Sequence, residues 1–235
     1  MISSAEVVRR IAEARAPVLF TDTCSLLDLM RDPTRDGFSA AQVSAAHRLL
    51  ARAEARPQGL WLPLVNQVLT ELDDHQERVR VETETALQKL EAQVNRAQSI
   101  MAAHGLGAFA ANRGLTAVNF PAIASQLVDR YVAASLHVRK PRGIERSALA
   151  RIAANTAPSQ KGQQAKDCMV IESYLHIARG LRSQQVQEPI VFLTANTRDY
   201  SERLGSSILH QDLLGDFGAV NMIYSVNFEM AAHFL

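Results

Sequence analysis

Four short apolar runs, each leading into a helix-like segment, constrain this chain more than any other feature. They are "VLFT" at 18–21, "GLWLP" at 59–63, "IVFL" at 190–193 and "AVNMIYSV" at 219–226. Runs of this kind, apolar without alternation, belong to strands buried on both faces, and strands alternating with helices give a parallel sheet covered on both sides. The segments between them read as helices. One spans 4–15, capped by Ser3 or Ser4, and one opens at "SLLDLMR" and stops at the turn "DPTRDG". Others span 39–55 and 165–181, and "NFEMAAHFL" closes the chain. From Leu64 the pattern is helical, with no Gly or Pro up to Gly105, which reads as one long helix or a helix pair broken near "DDHQ". Residues 105–121 read as loop, and 121–137 and 144–154 as further helices. The span 74–158 is therefore expected to be an all-helical insertion within a single α/β domain covering 1–235.

Composition narrows the function classes. A net charge of +1 provides no global field to attract a polyanion. With 47% hydrophobic and 21% charged residues, the chain reads as soluble and globular. Two cysteines make no disulfide framework, which suits a reducing cytoplasm. "MISSAEVVRRIAEAR" lacks the apolar centre of a signal peptide, and no run approaches membrane-spanning length. No Gly-rich phosphate loop is present, which argues against a dinucleotide or ATP site.

Acids stand beside the strand ends, where open parallel sheets form their sites. Asp22 ends the first run. Glu71 lies on the helix after the second, and Asp167 opens the helix before the third. Asn196 and Asp199 follow the third in "FLTANTRDY". Each has a plain structural reading taken singly. Asp22 and Asp199 are placed to cap helices, Asp167 to cap or to pair with Lys166, and Glu71 to face solvent near Asp73 and Asp74. Taken together they point to a hard divalent cation, because carboxylates gathered away from water raise one another's pKa until a counterion joins them.

The segments "VLFTDTCSLLDLM", "LWLPLVNQVLTEL", "KDCMVIESYL" and "VFLTANTRDYS" resemble, in order and internal spacing, the PIN-domain nucleases. They cover roughly a fifth of the chain. The resemblance implies a three-layer α/β/α sandwich with a central parallel sheet and a helical insertion. It also implies a Mg²⁺- or Mn²⁺-dependent endoribonuclease whose products carry 5′-phosphate and 3′-hydroxyl ends. Carried over by motif, Asp22, Glu71 and Asp167 become metal-binding and catalytic acids. Thr23 and Ser25 hold the turn and the metal's waters, and with Thr194 and Asn196 they are the candidate substrate contacts of this edge. Thr194 and Asn196 fall where relatives have Thr/Ser-x-Asp, so this chain has Asn in place of an acid. Asp199 is the nearest acid left to serve as a fourth ligand. The alternative is a catalytically weak PIN-like module that binds RNA or a protein. A haloacid-dehalogenase phosphatase wants Asp two residues after the first, where Cys24 stands. An adhesion-type metal site wants Ser at the positions of Cys24 and Leu26.

Nucleic acid, RNA first, is the expected partner. Arg139, Lys140, Arg142, Arg146, Arg151, Lys161 and Lys166 face the single acid Glu145 between residues 138 and 166. Phosphate contacts are expected there, from Lys161 and Lys166 above all. The acidic helix after Glu71 is expected to be a structural arm, packing within the chain or against a second copy or partner protein. Cys24, Cys168 and Trp61 are expected in the core, and His176 to pack. Tyr200 is expected to pack, with base stacking as its alternative.

Overall fold

The computed structural model describes residues 1–106, 114–160 and 164–235. Strand β1 (Val18–Thr21) lies between Trp61 on one side and β4 (Ile190–Leu193) on the other, and β4 pairs in turn with β5 (Met222–Ser225). All these pairings are parallel. Strand β2 (Pro63–Val65) pairs in parallel with β3 (Leu136–Val138), from Pro63–Leu136 to Val65–Val138. Among the described residues the two sheets are joined by backbone hydrogen bonds at Trp61: Leu19 N–H donates to the Trp61 carbonyl and Trp61 N–H to that of Pro17, each at 2.9 Å. The strand order is thus β3-β2 beside β1-β4-β5, with every strand running the same way. Strands β1 and β4 are buried at every position, as their unbroken apolar runs require.

Helices cover both faces, giving the expected α/β sandwich. On one side α1 (Ser4–Ala14) and α6 (Ile144–Ala153) pack on α7 (Ala165–Ser183), and on the other α3 (Ala40–Glu54), α5 (Phe120–Ala134) and α10 (Phe228–Phe234) pack together. Ser3 caps α1 by accepting from Glu6 N–H. Asn227 caps α10 through Met230 N–H, at 2.8 Å. Gly180 lets α1 approach α7 closely, since a Cβ there would lie 2.8 Å from Val8 Cγ2. Tyr174 of α7 stacks on Phe20 with ring centroids 4.5 Å apart and donates its hydroxyl to the Thr21 carbonyl at 2.7 Å. That contact fixes α7 over β1, with Asp167 two turns nearer the helix N-terminus.

Several expectations need correction. The span 74–158 is not helical throughout, because Leu136–Val138 form β3. The helix expected over 121–137 ends at Ala134, where Ser135 is extended and Leu136 N–H donates to the Leu62 carbonyl. The second strand lies at Pro63–Val65 rather than 59–63. Proline, without an N–H, is tolerated as a strand's first residue. No break occurs at "DDHQ": α4 is one helix, Asn66–Ala103, held to the core by Val68, Leu72, Val79, Thr83 and Leu87. Thr83 Oγ1 donates to the Met30 carbonyl at 2.8 Å. Helix α9 (Gln211–Ala219) is an element that the sequence pattern does not predict. Among the described residues no helix is long and apolar enough to cross a membrane.

Candidate active site at the carboxyl edge of the sheet

The chain leaves β1 at Asp22, which is 1% exposed and caps α2 (Thr23–Asp28). Its N–H donates to the Leu193 carbonyl of β4, at 3.0 Å. Its Oδ1 accepts from Thr23 N–H at 2.6 Å and its Oδ2 from Thr194 Oγ1 at 2.8 Å. The capping reading of Asp22 is therefore correct, and it leaves the carboxylate at the strand end.

From Thr194 the bonding continues to the next acid. Thr194 Oγ1 accepts from Asn196 N–H at 3.0 Å, and Asn196 Nδ2 donates to Asp199 Oδ2 at 2.9 Å. Asp199 lies in the short helix α8 (Thr197–Tyr200). Its other oxygen, Oδ1, is buried and accepts no hydrogen bond. Glu71, in the second turn of α4, is held from two sides. Thr23 Oγ1 donates to its Oε2 at 3.0 Å and Gln67 Nε2 to its Oε1 at 2.9 Å. Ser25 Oγ accepts from Ala195 N–H at 2.9 Å, tying α2 to the segment after β4.

The acids share one electrostatic neighbourhood. Burial pushes Asp22 up to about 6, and the Glu71 charge adds to this, while the Thr194 hydrogen bond opposes it. Burial pushes Asp167 up to about 8, helped by the charges of Asp22, Glu71 and Asp199 and resisted by Lys166. Among the described residues no three His, Cys, Asp or Glu side chains close into a ready-made metal cage. The donors are nonetheless all oxygen, and the orphaned Asp199 Oδ1 suits a hard divalent cation.

The structure brings Asp22, Glu71, Asp167 and Asp199 together and changes the roles of their neighbours. Thr23, Ser25 and Thr194 are buried and their hydroxyls are committed to Glu71, Ala195 N–H and Asp22, so they position the site rather than touch substrate. Asn196 is likewise spent on Asp199. Lys166 is exposed beside Asp167. Lys161 lies outside the described residues. Arg151 is no surface cation: it is 9% exposed and bonded to Glu172, Asp216 and the Ala157 carbonyl. Tyr200 is fully buried, packs on Phe192 at 5.2 Å and donates to the Asp167 carbonyl at 3.2 Å, which excludes base stacking. His176 is exposed and bonded to Ser4 Oγ rather than packed. Cys168 is buried as expected, while Cys24 and Trp61 are half-buried. Sequence reasoning missed Gln67, although its spacing four residues before Glu71 on a helix is the signal that would have found it.

No curated protein and no solved structure matches the chain. The sequence model of the PIN domain does, over residues 19–200, from the first residues of β1 to the buried Tyr200 beneath Asp167. That match takes in every acid of the site and more than half of the chain, so the protein belongs to the PIN-domain family.

Proposed function

We propose that this PIN domain is an endoribonuclease that hydrolyses RNA phosphodiester bonds with Mg²⁺ or Mn²⁺. One observation carries the reading: the half-buried Asp167 shares this edge with Asp22, Glu71 and Asp199, whose Oδ1 is buried without a partner, and burial first and these three charges second push Asp167 up, an arrangement that a divalent cation relieves. Asp22, Glu71 and Asp167 would hold the ion, with Asp199 as the fourth ligand. Such an ion supplies a lowered pKa for the attacking water and offsets charge on the phosphoryl oxygens.

The chain's own residues do the rest. Thr23 and Thr194 keep the Asp22 carboxylate oriented, and Gln67 with Thr23 does the same for Glu71. Asn196 turns Asp199 so that Oδ1 is left to accept from water or an ion. Lys166, exposed at the first turn of α7, is positioned to meet a phosphate. A cytoplasmic setting fits the two free cysteines. The distal half of α4, exposed from Ala92 to Leu106 except at Gln98, is the surface on offer to a second copy or a partner protein. All 235 residues form one domain, and its inserted segment, around 74–158, returns to the sheet at β3.

A second reading, a PIN module that binds RNA without cutting it, has one observation in its favour. Asn196 brings no charge where an acid would and uses its amide on Asp199 instead.

Cleavage of 5′-labelled single-stranded RNA, structured RNA and single-stranded DNA, in Mn²⁺, Mg²⁺ or EDTA, separates the two. Cutting that needs the cation and disappears in Asp22→Asn and Asp167→Asn supports the nuclease. RNA binding without cutting in any metal supports the second reading.

A further inference from the structure

The carboxyl edge carries a second feature two strands from Asp22. Strand β3 ends at Val138 and the chain continues Arg139-Lys140-Pro141-Arg142 to a turn at Gly143, whose φ of 80° suits glycine. Because β3 runs parallel to β2, and Trp61 joins β2's segment in parallel to β1, this basic run leaves the sheet at the edge where Asp22 stands. At about 4.8 Å per strand, the ends of β3 and β1 lie about 10 Å apart.

Lys140 lines a cleft of about 100 Å³ with Asn66, Gln67, Met169 and Ser173. Its lining offers donors, the Lys140 ammonium and the Asn66 and Gln67 amides, which suits a phosphate group. Gln67 belongs to both places, since it lines the cleft and donates to Glu71. Among the described residues the Asn66 amide has no hydrogen-bond partner, and the exposed Arg139 and Arg142 guanidinium groups have no ion pair. Lys140 meets Glu145 at 2.5 Å, but both side chains are half exposed, and such pairs yield readily to a competing anion.

We propose that this cleft and its basic rim are a phosphate subsite for a nucleotide flanking the one at the carboxylate group. A single strand then runs along the sheet edge from β4 and β1 toward β3, gripped by its backbone and without regard to base. The nature of the neighbouring site rests on the nuclease reading above.

The test compares the wild type with an Arg139→Ala/Lys140→Ala/Arg142→Ala variant, and with Arg96→Ala, an exposed cation on α4, as control. Affinity for a 5′-labelled single-stranded oligoribonucleotide is measured in EDTA across a salt series, and cleavage kinetics in Mn²⁺. Three lost contacts lower the salt slope by about 2, at about 0.7 each. KM rises on a long strand while kcat holds, and the difference vanishes on a dinucleotide too short to reach the cleft. The control matches the wild type. A wild type that cuts, beside a triple variant with unchanged slope and KM, overturns the subsite and leaves the nuclease standing. A variant-sensitive slope in a protein that never cuts keeps the subsite and overturns the nuclease. A wild type that neither binds nor cuts overturns both.

Discussion

Asp22 ionises in a place that water does not reach, and its stability effect has a definite sign. Its ordinary value of 3.8 rises to about 6 in the folded chain. Between those values the folded state holds a proton that the unfolded state has released, so stability is lost as pH rises from about 4 through 6. Asp167 extends the loss toward pH 8. For Asp22 alone, two units correspond to roughly 3 kcal/mol. The urea midpoint of the cation-free protein is expected to be lower at pH 8 than at pH 5, and Mn²⁺ to raise it more at pH 8. Asp22→Asn keeps an acceptor for Thr23 N–H and an amide for the Thr194 hydroxyl, so it should stabilise the cation-free protein at pH 8 while abolishing cleavage. An unaltered midpoint would show that Asp22 is not ionised and buried at that pH. Gln67→Ala removes a group that orients Glu71. A loss of about 10–100-fold in Mn²⁺ affinity or cleavage is expected, read by metal titration of the rate.

At the scale of elements, two contacts decide how the helices that frame Asp167 sit. Arg151 of α6 reaches Glu172 of α7, with its Nε at 3.0 Å, and Asp216 of α9, with its Nη2 at 2.6 Å. Glu172 is 7% exposed, so Arg151→Ala leaves a buried carboxylate unpaired and should cost about 3–5 kcal/mol. Arg151→Met with Glu172→Leu should recover most of it, which chemical denaturation of the three proteins would test. Gly180→Ala drives a methyl into Val8 and should destabilise by about 1–3 kcal/mol despite alanine's better helix propensity. Adding Val8→Ala should relieve the clash. A Gly180→Ala protein as stable as the wild type would mean that α1 can shift on α7. The basic stretch shows how sequence misleads at this scale. Arg151 reads as one more phosphate-binding cation because its partners lie 21 and 65 residues away and leave no local trace.

For the whole molecule, legibility follows burial and local spacing. β1, β4 and β5 announce themselves because apolar runs of four residues or more admit no amphipathic alternative. β3 does not: "LHV" is three residues with His137 at its centre, directly after a long helical pattern. Only its pairing with β2 makes it a strand. α9 hides behind Gly215 and Gly218, which weaken its helical pattern. The gathering of the acids at one edge is legible because each follows a strand or opens a helix beside one. The hydroxyls around them were misread as substrate contacts, since burial depends on neighbours distant in sequence, as Thr194 is from Asp22.

The sheet is two rafts lashed together at one plank. Asp22, Thr194 and Asp199 ride on the raft of β1, β4 and β5, while Glu71 and Lys140 ride on that of β2 and β3. The lashing is a pair of backbone hydrogen bonds through Trp61. Amide deuterium exchange should find that line first. The Leu19 and Trp61 amides are expected to exchange before those of Val191 and Phe192, and a divalent cation, which Glu71 and Asp22 would hold, should slow them.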